Sequence, residues 1–258
     1  MGVIFMTPFY WMFATALKSD AQLFTLPPAW VPNPLEWQNF ARVFQEVPFG
    51  RFILNSTWLV IWNVVGQVFA TAMVAYGFAR LRFPGRNFLF MILLATLMVP
   101  KQVTLVPQFI LFAKLGWINT YLPLILPAFG GSPFLIFLVR QYMMTLPRDL
   151  DEAATIDGAS RWQILLYVIM PLTTPALILV TVFTFTDVWN DFMGPLIYLN
   201  DPNKFTVSLG LSFFQGVKDT SWHLLMAAAL MAMIPPVILF LFTQKRLLGG
   251  LATTGLKG

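Results

Sequence analysis

Cysteine is absent from the 258 residues, histidine occurs once, and charged side chains make up only 10% of the chain. The first absence excludes a disulfide framework and a thiolate metal site. With one histidine besides, no zinc ligand set can be assembled. Scarcity of charge excludes a soluble surface, for which about a quarter of the residues would be charged. Also missing is the Gly-x-x-x-x-Gly-Lys-Ser/Thr loop that cradles nucleotide phosphates, so this sequence carries no ATP motor.

What is there instead is apolar: 58% hydrophobic residues and a mean hydropathy of +0.72. Hydrophobic stretches of about 20 residues, long enough to cross a bilayer, recur along the whole chain. They predict one all-α membrane bundle of six transmembrane helices, at roughly 2–17, 52–79, 87–112, 121–140, 171–193 and 223–242, with a polar loop at 141–170. The first stretch, Met1 to Leu17, resembles a signal peptide in length. It lacks a basic start and a small-residue cleavage site before Lys18, and it reads as a span.

Net charge is +5 with a pI near 9.6, but the basic residues are scattered in short loops rather than gathered for nucleic acid. Their distribution sets a side. Arg80, Arg82, Arg86, Arg140, Arg148, Arg161, Lys245, Arg246 and Lys257 fall in one set of loops. The opposite set is longer yet holds only Lys18, Arg42, Arg51, Lys114, Lys204 and Lys218. The positive-inside bias therefore predicts that the 141–170 loop and both chain ends are cytoplasmic.

Within the spans, Gly66, Ala70, Ala72, Ala75 and Gly77 permit close helix contact. Pro100 and Pro107 predict kinks in the third span. Pro123, Pro127, Gly130, Gly131 and Pro133 break the fourth, so its freed backbone groups must be satisfied by protein or water.

The polar loop is punctuated as two short helices. Asp149 followed at the third position by Glu152 reads as a capping-box variant, with Pro147 just upstream. Gly158 can take the left-handed conformation that ends a helix, and Ser160 with Gln163 forms a second capping box. Leu150, Ala153, Ala154 and Asp157 fall at i, i+3, i+4 and i+7. They make a small, flat face that could seat in a partner's groove. A plain connector would need the caps too, but not the fixed spacing from Glu152 to Pro171.

Glu152-Ala153-Ala154, three residues, Gly158, then Val168-Ile169-Met170-Pro171 resembles the EAA motif of binding-protein-dependent ABC importer permeases, with Val168 and Met170 in place of Ile and Leu. Tyr76 to Gly85 (YGFARLRFPG), Arg140 to Pro171, Trp189-Asn190-Asp191-Phe192 and the tail GGLATTGLKG are similar to the carbohydrate-uptake permeases of the maltose-transporter type. The resemblance implies an inner-membrane subunit, itself no enzyme, that pairs with a second, different permease. Its other expected partners are two ABC ATPases carrying ATP and magnesium, an extracytoplasmic solute-binding protein and the surrounding lipid. The chain would bind no cofactor of its own. Asp149 to Gly158 would then be the lever that couples ATPase closure to the bundle, with Thr253 to Gly258 a second contact.

Intramembrane acids must face protein or water. Asp187 and Asp191, taken as i, i+4 neighbours on the fifth helix, are with Asn190 candidates for the solute path. Asp191 sits close enough to Gly194 and Pro195 to lie at the outer interface instead. Lys101 is expected to pair with such an acid or to snorkel. Asn55, Ser56 and Asn63 could line the path or bond between helices. Phe213, Phe214 and Gln215, in an outer loop, are candidate contacts for the binding protein. Ser132 and His223 could be imagined as nucleophile and base, but Pro133 and the lack of a nucleophile-elbow pattern argue against a hydrolase. A secondary transporter fits the helices equally well and has no use for the lever. A non-carbohydrate solute such as glycerol phosphate remains the nearer alternative.

Overall fold

The computed structural model describes residues 2–216 and 220–252, without the side chains of Val3 and 246–252. Lys218, Lys257 and the stretch from Thr253 to Gly258 lie outside the described residues. Apart from one isolated bridge pairing Gln215 with Thr220, the described residues are helical or irregular, as the composition predicts.

The principal helices are α1 (Gly2–Ala16), α2 (Gln38–Glu46), α3 (Phe49–Arg80), α4 (Arg86–Ala95), α5 (Lys101–Lys114), α6 (Pro133–Thr145) and α7 (Asp149–Ile156). Then follow α8 (Arg161–Leu172), α9 (Thr174–Trp189), α10 (Met193–Tyr198) and α11 (Trp222–Ala252). Among the described residues three helices are long and apolar enough to cross a membrane: Phe49–Arg80, Leu122–Thr145 and Trp222–Lys245. The number reaches five if each of two bent pairs is one span. At 15 residues, α1 falls short of that length, and several apolar spans are what the described residues show.

Both bends have local causes. A short 3-10 segment, Thr96–Met98, followed by Val99 and Pro100, turns the third span through 96°. Pro107 lies inside α5 without breaking it, contrary to the two kinks expected. The fifth span bends by 79° between Leu172 and Thr174, after a π-helical stretch at Ile164–Ile169. Pro171 supplies no N–H there. The Thr173 hydroxyl donates to the Ile169 carbonyl at 2.6 Å and that of Thr174 to Pro171 at 2.7 Å, satisfying freed acceptors.

The chain divides into two compact units, Met1–Trp58 with Trp189–Ile238 and Leu59–Val188 with Leu239–Gly258. In the first, Asn39 is fully buried on α2. Its amide donates to the carbonyls of Ala16 and Lys18, each at 2.9 Å, closing the end of α1. Lys18 is buried too, its ammonium 4.1 Å from the Trp11 ring centroid. His223 is buried and lies 3.1 Å from the Asp20 carboxylate. Gly210 packs so closely on Phe52 that a Cβ there would come within 2.3 Å of the ring.

The second unit holds the main core. Ala72, Ala75, Tyr76 and Ala79 of α3 present a narrow face at i, i+3, i+4 and i+7. It belongs to one cluster with Ile136, Val139 and Met143 of α6, Ile164, Leu165 and Ile169 of α8, and Val180 of α9. Small residues are what allow such an approach in lipid, where burial alone gives little drive. Gly66 is needed because its absent side chain makes room for Phe129, whose ring would stand 2.6 Å from a Cβ.

Candidate functional site

The loop at 141–170 folds as helix, glycine corner, helix. α7 begins directly after Arg148, which adopts helical torsions and offers no side-chain cap, so the capping box expected between Asp149 and Glu152 does not form. Asp149 is already inside the helix. With Asp151 and Glu152 it places three acids in the first turn, where they complement the helix dipole instead. The helix ends at Gly158, whose φ of +83° is the left-handed conformation that its lack of a Cβ permits. The Ala159 amide donates back to Ala154 at 2.9 Å and that of Gly158 to Thr155 at 3.1 Å. The second capping box does form: the Ser160 amide donates to Gln163 Oε1 at 2.7 Å, and the Gln163 amide to Ser160 Oγ at 3.4 Å. Pro171, which closes the motif, is exposed near the bend.

The faces of α7 differ from the expected ones in one respect. Leu150, Glu152, Ala153 and Asp157 are exposed, but Ala154 is half-buried and packs with Ala159 on the core. Ala154 lies at the edge of that stripe nearest Asp151, the side on which Arg80 and the core seat the helix. The outward face gains Ile156 in exchange, an apolar side chain 86% exposed at the helix tip.

Beneath α7 lies the residue that holds it. Arg80, the last residue of α3, is 4% exposed at its side chain and approaches the Asp151 carboxylate to 3.2 Å. Its other terminal nitrogen donates to the Leu146 carbonyl at 3.0 Å, so one guanidinium grips both the helix and the chain entering it. In the sequence Arg80 is one positive charge among several. Its signal was an arginine ending a span in a chain where an acid opens the next polar helix. Leu81, Arg82, Phe83, Arg148, Glu152 and Arg161 complete a cavity of about 620 Å³ around this ion pair.

The candidate path residues divide. Lys101 pairs with Asp187 across 3.6 Å, as expected of an intramembrane base, and both side chains are largely exposed in the single chain. The fifth helix ends at Trp189, so Asp187 and Asp191 are not i, i+4 neighbours on it. Asp191 accepts from the Gly194 amide at 3.0 Å, and the Asn190 carbonyl accepts from the Ser208 hydroxyl at 3.2 Å. Burial, and secondarily the Asp191 carboxylate, hold the Tyr198 phenol above its usual range, so it remains a neutral donor at neutral pH.

Asn55 donates to the carbonyls of Asn203 and Phe205, each at 2.9 Å. The buried Ser56 hydroxyl accepts from the Val207 amide at 2.8 Å. These two polar groups of α3 hold a loop, which is the bonding alternative to a path lining. Asn63 likewise is buried and donates to Leu59 and Leu124. Of the candidate binding-protein contacts, Phe213 and Gln215 are exposed, while Phe214 is 4% exposed and turned into its unit, where no partner can touch it.

The described residues form an all-helical, multi-pass membrane protein with a short polar helix clamped to its core by Arg80. The comparisons specify it. The chain belongs to the family of binding-protein-dependent transport system inner membrane components, whose model matches residues 67–251. Members are permease subunits and not enzymes; ATP is hydrolysed by a separate subunit. The chain is 36% identical over 228 residues to the arabinooligosaccharides transport system permease of Halalkalibacterium halodurans, covering 88% of this chain and 81% of that one. It is 35% identical to the trehalose/maltose transport system permease of Thermococcus litoralis, covering all of this chain and 94% of the other. It is 32% identical to the sn-glycerol-3-phosphate transport system permease of Yersinia pestis, with coverages of 96% and 91%. A bacterial ABC transporter that imports the polysaccharide alginate shares the fold, with a TM-score of 0.85 at 22% identity over 95% of this chain and 91% of that chain.

Proposed function

We propose that this chain is one of two different permease subunits of an ATP-driven sugar importer, and that α7 is its docking lever for an ABC ATPase. In this reading six spans place both ends and the Asp149 to Gly158 helix in the cytoplasm. Two ATPases bind below, and an extracytoplasmic binding protein delivers solute from above. The observation that carries it is the helix itself: eight residues that project Leu150, Glu152, Ala153 and Ile156, with Asp157 exposed just after them, while Arg80 and Ala154 fix them to the bundle. A short amphipathic helix held this way can enter a groove and transmit its motion, because it cannot swivel on its own stem. The sugar assignment is supported by the relatives that carry oligosaccharides and trehalose or maltose. The Lys101 and Asp187 pair, an ion pair set in spanning segments, is the part of this chain nominated for the solute path.

The glycerol phosphate relative, nearly as similar in sequence, favours a second reading with an anionic solute. One measurement separates the two. The transporter is purified with its co-expressed neighbours, and ATP hydrolysis is followed as ligands of the associated binding protein are added. Stimulation by an oligosaccharide supports the sugar reading. Stimulation by glycerol phosphate alone replaces it. Normal uptake by both Gly158→Pro and Glu152→Lys in vesicles would refute the lever.

A further inference from the structure

A second cavity, of about 480 Å³, adjoins the one around Arg80. It is lined by Arg82, Phe83, Gly85, Arg86, Asn87, Phe88 and Arg148. Three guanidinium groups meet there, and no carboxylate lines it. Neither Arg82 nor Arg148 has an ion-pair partner among the described residues. Arg86 donates to the Leu81 carbonyl at 3.2 Å and through Nε to Asn87 Oδ1 at 3.5 Å, which leaves its second terminal nitrogen for a ligand. Arg140, a fourth cation, lies within electrostatic reach of Arg86. Like charges crowded in this way call for an anion, and guanidinium forks match phosphate oxygens in pairs.

The surroundings say which kind of phosphate. The cavity opens where α3 has ended and α4 begins, at the end of a spanning segment. From it an apolar stripe runs along α4: Phe88 and Met91 are each 62% exposed and Ile92 is 47% exposed, at i, i+3 and i+4. An anionic headgroup pocket continued by an exposed hydrocarbon track has the two-part chemistry of a membrane lipid. A soluble phosphate would use only the first part.

We propose that Arg82, Arg86 and Arg148 form a binding site for the phosphate of an anionic phospholipid, whose acyl chains lie on the Phe88, Met91 and Ile92 face of α4. Arg148 immediately precedes the docking helix, whereas Arg82 and Arg86 belong to the turn after α3. A bound phosphate therefore adds a second tie between the lever and the bundle, next to the one that Arg80 makes, and anionic lipid strengthens coupling. That last consequence rests on the docking reading; the lipid site itself does not.

The test uses the whole transporter in nanodiscs of phosphatidylcholine, with or without phosphatidylglycerol, and native mass spectrometry of the lipids it retains. Wild type is expected to keep phosphatidylglycerol selectively. Replacing all three arginines by Gln should lower that affinity by about 100-fold, the sum of three near-surface charges. The single exposed change Arg148→Gln, which leaves the spans untouched, should cost about fivefold. Wild-type retention by the variants overturns the proposal. So does displacement of the lipid by inorganic phosphate in equal measure, which would make the site one for a free anion. Retention is read without turnover, so selective lipid loss with normal coupling would support the site and count against its part in coupling.

Discussion

If Arg80 fixes the docking helix, removing its partner's charge should loosen that helix without unfolding the bundle. Asp151→Asn leaves the guanidinium, 4% exposed, beside a neutral amide whose oxygen still accepts but no longer balances its charge, with the Leu146 carbonyl as the other acceptor. Breaking a buried pair from one side costs about 3 to 5 kcal/mol. Because the Asp151 side chain is 15% exposed, the lower end applies. About 3 kcal/mol corresponds to roughly a 150-fold shift between the seated and released helix. The core residues that seat α8 and α3 are untouched by the change, so the effect should stay local. Hydrogen exchange at the amides of 149–157 should accelerate by about two orders of magnitude. In the reconstituted transporter, ATP consumed per solute imported should rise. Arg80→Lys should behave similarly, since one ammonium cannot reach both acceptors. Exchanging the charges, Arg80→Asp with Asp151→Arg, should recover part of the coupling. Exchange rates and coupling in Asp151→Asn indistinguishable from wild type would refute the reasoning.

At Gly158, Ala should cost about 1 to 2 kcal/mol because φ is +83°, and vesicle uptake should fall while membrane insertion does not. Gly210→Ala should destabilise by about 1 to 3 kcal/mol in a thermal unfolding assay, as its Cβ would collide with Phe52. Gly77→Ala meets nothing within 4 Å and should be neutral or stabilising in the same assay. Lys101→Met should lower the folded yield by leaving Asp187 without its cation, and the exchange Lys101→Asp with Asp187→Lys should restore it, as judged by size-exclusion profiles.

Much of the fold could be read before any coordinates, for a physical reason. In lipid, backbone groups must be satisfied within their own segment, so apolar length alone marks a spanning helix. The corner at Gly158 and the box at Ser160 were legible because caps are local chemistry. Asp149 misled because a cap depends on the torsions of the residue itself, and the helix had begun one residue earlier. The two sharp bends were only partly legible: proline marks a weak point in a helix, but neighbours decide whether the chain bends there. Pro107 stays straight and Pro100 does not.

The sites followed the same division. Lys101 with Asp187 was foreseeable, since an intramembrane charge needs its opposite. Asn55 and Ser56 were ambiguous as polar side chains, and tertiary contacts alone assigned them to the loop at 203–207. Phe214 and Ala154 looked available in a one-dimensional pattern and are packed inward.

By itself, then, the sequence determined the family and a helical membrane protein with a polar loop of helix, glycine corner and helix, because hydropathy, caps and motif spacing act over a few turns of chain. Only the tertiary structure decided what holds the loop and what it shows to a partner. Arg80 meets Asp151 across 71 positions of sequence, and the three arginines of the second cavity meet across 66. Such encounters are made by the folding of helices against each other, and no local pattern records them.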